Sequence, residues 1–149
     1  MNRLLLKLAI TVAFGSLLAS SPTDAQTLPP AKKARSVKII KGPALEIALD
    51  NFAIIRWTTN NPEGTDVHFS VVYYGTNSRD LSQMAKSQIR INRGHPQTIF
   101  RVRVPGLKPR TTYYYRVTST DSVGKSDGVA SAVSQFTTPG PGERIPRIE

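Results

Sequence analysis

The chain has no cysteine, which removes disulfides, thiolate metal sites, a cysteine nucleophile and a lipid-modified cysteine together. Its stability must come from packing. Histidine is almost as scarce, with only His68 and His95. His68 is expected on the outward side of a strand, and His95 sits in the turn Arg93-Gly94-His95-Pro96. Neither position suggests a metal ligand, and no metal or other cofactor is expected. Serines are common, but none lies in a GxSxG-like elbow. The aspartates Asp50, Asp66, Asp80, Asp121 and Asp127 fall in or beside loops, where Asp commonly forms turns. There is no glycine-rich phosphate loop. Acidic residues are few, 10 against 20 Lys+Arg in 149 residues, for a net charge of +10. Such a balance favours anionic partners without naming one.

At the start, Arg3 is followed by an apolar stretch from Leu4 to Leu18, broken by Lys7, and then by small and polar residues. This is the three-part pattern of a secretory signal, with cleavage expected after Ala25. The alternative is an uncleaved amphipathic anchor. Cleavage would remove Arg3, Lys7 and Asp24 and leave a strongly basic, secreted protein, periplasmic or extracellular, with no stable membrane span.

Residues 26–36, QTLPPAKKARS, have no apolar periodicity and read as a flexible linker. Residues 140–149 are rich in proline and glycine and read as a flexible tail, so the folded domain is expected over 37–139. Within it, about seven runs of β-branched and aromatic residues are separated by turn residues, the pattern of an all-β sandwich. Gly42-Pro43 is expected to divide the first two runs, Val37–Lys41 and Leu45–Ala48. Residues 80–85 are open to a helical turn ahead of a short edge strand. Alternation assigns four inward sets: Ala53, Ile55 and Trp57; Phe69, Val71 and Tyr73; Phe100, Val102 and Val104; Tyr113, Tyr115 and Val117.

These residues bear a family likeness. Ile55, Trp57 and Pro62, then Phe69, Val71 and Tyr73 before Gly75-Thr76, and finally GLKPRTTYYYRV, with Leu107, Pro109, Thr111, Tyr113 and Val117, resemble fibronectin type III domains. The closest likeness is to the N-terminal sandwich domain of purple acid phosphatases. The resemblance implies an immunoglobulin-like, seven-stranded β-sandwich with Trp57 in its core and a tyrosine corner at Tyr113, whose hydroxyl returns to upstream backbone. Phosphatase activity is not implied. That chemistry needs a cluster of Asp, His, Asn and Tyr around two metals, and two histidines do not furnish it.

Two surface patches stand out. Arg56, Arg101 and Arg103 point outward from neighbouring strands and form a candidate anion-binding stripe, or else cover exposed sheet with their stems. Tyr74 and Tyr114 beside Arg116 form a candidate aromatic patch on the other sheet, or else an ordinary cross-strand pair. The expected protein is a monomeric, non-catalytic binding module for an anionic polysaccharide or a protein partner, with no specific nucleic-acid recognition. The alternative is an accessory domain of a purple acid phosphatase-like metallohydrolase whose catalytic part is absent from this chain.

Overall fold

A computed structural model describes residues 35–62 and 64–145. The expected signal at 1–25, most of the 26–36 linker and the last four residues of the expected tail lie outside them. Among the described residues eight strands follow one another: β1 (Ile39–Leu49), β2 (Phe52–Asn60), β3 (Val67–Gly75), β4 (Gln83–Arg90), β5 (Gln97–Pro105), β6 (Thr112–Asp121), β7 (Ser134–Thr137) and β8 (Arg144–Ile145). They form two antiparallel four-stranded sheets, ordered β5-β2-β1-β8 and β4-β3-β6-β7. The first seven strands make the expected fibronectin type III-like sandwich.

The sheets close on an aromatic core. Trp57 is 1% exposed and stacks on Phe100 with ring centroids 5.4 Å apart. Its indole N–H donates to Ser119 Oγ at 2.9 Å, which satisfies the one polar atom the ring buries. At the other end Phe136 stacks on Tyr113 at 5.9 Å and meets Tyr115 at 5.8 Å. The tyrosine corner is present: Lys108 N–H donates to Tyr113 Oη at 2.9 Å. Thr138 Oγ1 ties the same corner by donating to Lys108 O and accepting from Thr111 N–H. Leu107 is buried beside it, and Thr111 Oγ1 donates to Pro109 O.

Four expectations fail. Gly42-Pro43 does not split the first strand. β1 runs through it with shifts of register on β2, and Gly42, at φ 88°, occupies a region that L side chains rarely adopt. Residues 80–85 form no helical turn: Asn77–Asp80 is a tight turn and β4 follows directly as an edge strand. The fold does not end at 139. Residues 140–143 form a turn, and β8 pairs Ile145 with Ala48 and Arg144 with Leu49, lodging Ile145 against the core. At the other end, Ser36 of the expected linker is held by Asn60 Nδ2, which donates to its carbonyl at 3.0 Å.

The fourth failure turns a whole strand over. In β3 the inward side chains are His68, Ser70, Val72 and Tyr74, while Phe69, Val71 and Tyr73 face away from the core. The doublets Val71-Val72 and Tyr73-Tyr74 serve either register equally well. A one-residue difference exchanges the two faces completely. What favours the observed register is the volume beneath Trp57. Ser70 and Ser119 are direct cross-strand partners, so two small side chains face the indole where Phe69 would have intruded. Tyr74 then fills the far end, its hydroxyl donating to Pro105 O at 3.2 Å.

Candidate functional site

The expected arginine stripe lies on the outer face of the β5-β2-β1-β8 sheet. Arg56 and Arg101 are direct partners across β2 and β5, and Arg103 stands opposite Ile54. The three cations are together, but two of them are engaged. Arg101 Nε donates to both carboxylate oxygens of Glu46, at 2.9 and 3.2 Å, reaching over β2 to β1. The Arg103 guanidinium lies 4.2 Å from the centroid of Phe52, a cation–π contact that also shields the ring. Arg56 lines a shallow depression of about 190 Å³ with Lys41 and Ile99. This face is largely sheet surface covered by arginine stems, with one open basic corner.

The expected aromatic patch on the other sheet must be corrected. Tyr74 is 6% exposed and belongs to the core, where burial, and secondarily the neighbouring Tyr113, push its hydroxyl pKa upward. It contributes nothing to the surface. Its place is taken by Tyr73, with Arg116 stacked over it at 5.6 Å. Tyr114 is half-buried and Arg116 exposed, as expected for outward positions.

The register of β3 therefore builds a surface that alternation alone had hidden in the core. Its outward column runs Val67, Phe69, Val71, Tyr73. On the β4 side these residues face Arg90, Gln88, Lys86 and Met84; on the β6 side Phe69, Val71 and Tyr73 face Thr120, Thr118 and Arg116. Phe69 and Met84 remain 38% and 51% exposed. The only acidic residue in β3, β4, β6 or β7 is Asp121, and it is buried. Arg90 approaches Asp66 at 4.0 Å, whereas Lys86 and Arg116 enter no ion pair among the described residues. The one sequence signal for this face was the adjacency of Tyr73 and Tyr74, and it did not say which ring went out.

Beneath the same sheet lies a polar interior. His68, expected outside, is fully buried, and among the described residues neither ring nitrogen has a partner; Ser70 Oγ and Thr59 Oγ1 are likewise unpaired there. Burial lowers the imidazole pKa, partly opposed by the negative charge of its cross-strand partner Asp121. Asp121 itself is occupied, its Oδ1 accepting from Val123 N–H and Lys125 N–H at 3.0 and 2.7 Å. His95 is exposed in the β4–β5 turn. Among the described residues no three His, Cys, Asp or Glu side chains gather as a metal site would require.

Comparison with known proteins places this geometry. No curated protein matches the chain. Among solved structures, the sensor domain of the anti-sigma factor RsgI4 of Pseudobacteroides cellulosolvens is similar at 24% identity, over 70% of this chain and 95% of that one, with a TM-score of 0.49. The fn3 domain of human contactin 1 is similar at 12% identity, over 83% and 97%, with a TM-score of 0.42. The model of the purple acid phosphatase N-terminal domain matches residues 47–138, from the second half of β1 to the end of the tyrosine corner. The chain therefore belongs to the purple acid phosphatase N-terminal domain family.

Proposed function

We propose that the protein is a secreted, non-catalytic binding module whose partner is an acidic polysaccharide. One observation carries this reading: the exposed face of the β4-β3-β6-β7 sheet holds Lys86, Arg90 and Arg116 with no acidic side chain among its outward strand positions. Without Arg3, Lys7 and Asp24 the full chain's net charge of +10 becomes +9, which adds long-range attraction for a polyanion. Export rests on the signal-like first 25 residues. Retention on immobilised heparin and polygalacturonate at low salt, lost as salt rises, is the expected result. Neutral dextran should not retain the protein. Failure to bind either acidic polymer at low salt would sink this reading.

A second reading is supported by the family match. The module is an accessory domain to a metallophosphatase-type catalytic part supplied by other polypeptide, and it contributes no catalytic group. Its test is whether a hydrolase is encoded beside this chain and co-purifies with it. A neighbourhood without any hydrolase would remove its support.

A further inference from the structure

We infer that the apolar column of β3 is a docking track for sugar rings, and that the side chains flanking it hold the acidic groups of an extended polysaccharide. The inference rests on the acidic-polysaccharide reading and adds the place and the mode of binding. Its starting point is the inverted register of β3. That strand buries His68 and Ser70 along with Val72 and Tyr74, while turning Phe69, Val71 and Tyr73 outward, so its outer face keeps apolar side chains, Phe69 among them, that burial would otherwise claim. An apolar column that the core does not claim, contiguous along one strand, is the kind of surface that marks an interaction site.

The geometry suits a linear polymer better than a globular surface. From Val67 to Tyr73 the column extends about 20 Å, at ~3.4 Å per residue, and its neighbours stand about 4.8 Å to either side. It is thus one side chain wide and several sugar rings long. Phe69 offers an exposed ring, and the half-buried Tyr73 ring is held in place by the Arg116 guanidinium over one of its faces. On the β4 side Arg90, Gln88 and Lys86 alternate charge with an amide. On the β6 side Thr120 and Thr118 present hydroxyls and Arg116 a guanidinium. Donors therefore line both flanks, while the floor is apolar. Carboxylate or sulfate groups of a sugar chain meet Lys86 and Arg116 on opposite sides of that floor, and sugar hydroxyls meet Gln88 and the threonines. An acidic protein segment without aromatic side chains would use the same cations but has no rings to lay on the column.

The test combines chemical-shift mapping with variants. Unlabelled oligogalacturonide and a heparin oligosaccharide are titrated separately into the 15N-labelled chain, with poly-glutamate as the acidic polymer lacking sugars. Shifts centred on β3 and its flanks in β4 and β6, with either oligosaccharide and not with poly-glutamate, are expected; which one acts tells carboxylate from sulfate recognition. Phe69→Ser and Tyr73→Ser should each weaken binding about tenfold, by analogy with the loss of one stacking platform. Lys86→Gln should weaken it and reduce its salt dependence, whereas Lys125→Gln, an equal loss of charge in the β6–β7 loop, should do neither. Wild-type binding with shifts confined to β5, β2 and β1 overturns the track while leaving the function intact. Equal shifts with poly-glutamate overturn it in favour of an acidic protein partner. No wild-type binding to either acidic oligosaccharide defeats the functional reading itself.

Discussion

Replacing His68 with leucine should make this protein more stable and flatten its acid response. His68 is completely buried, and both ring nitrogens lack a hydrogen-bond partner among the described residues. An unsatisfied buried polar group costs about 1–3 kcal/mol, and an apolar side chain of similar size avoids that cost. His68→Leu is therefore expected to gain about 1–3 kcal/mol at pH 7.5. The acid response follows from the same burial. The folded imidazole has its pKa lowered, chiefly by desolvation, while in the unfolded chain it titrates near its ordinary value of about 6.5. Below that value the unfolded state binds a proton that the folded state refuses. Stability is fully present above pH 7 and is lost as pH falls, at up to about 1.4 kcal/mol per pH unit, until the folded imidazole itself protonates. Urea unfolding followed by Trp57 fluorescence from pH 8 to pH 5 measures both effects. The two proteins should diverge as pH falls, with the variant losing less. Parallel profiles, or a variant less stable at every pH, would show that the imidazole is solvated or well bonded, and would refute the reasoning.

Three further outcomes follow from the packing. Tyr113→Phe removes the acceptor of Lys108 N–H and should cost about 1–2 kcal/mol in chemical denaturation; an unchanged midpoint would show that the corner bond adds nothing. Trp57→Ala leaves a cavity beside Phe100 and should cost about 3–5 kcal/mol, so a stable variant with native chemical shifts would place the indole outside the core. Gly75→Ala would set a methyl group 2.4 Å from Asp80 O, a backbone atom, and should destabilise by about 1–3 kcal/mol; its thermal midpoint checks this directly.

Much of the fold was legible because several signals agreed. β2, β5 and β6 alternate apolar and polar residues cleanly enough that their buried faces are those expected: Ile55 and Trp57, Phe100 and Val102, Tyr113 and Tyr115. The corner motif was legible because Pro109, Thr111 and Tyr113 act within a few residues of one another, through bonds the local backbone itself directs. β1 was read as two strands because a Gly-Pro pair ordinarily ends one; pairing with β2 on both sides of it carried the strand through as a bulge. β8 was missed because two residues in a proline-rich stretch carry no period, and only the free edge of β1 gives them a partner. The candidate surface was half legible. Arg56, Arg101 and Arg103 do share a face, but Glu46, which engages Arg101, stands on a strand whose register shifts could not be counted from sequence.

By itself the sequence determined the all-β class, the sandwich, the tyrosine corner and the excess of cations, because each depends on composition or on neighbours close along the chain. The tertiary structure alone decided which side of β3 faces water. Its doublets Val71-Val72 and Tyr73-Tyr74 are neutral between the two registers, so the choice fell to distant residues: Trp57 needing the small Ser70 and Ser119 opposite it, and Tyr74 finding Pro105 O. That single choice placed His68 in the interior and Phe69 and Tyr73 on the surface.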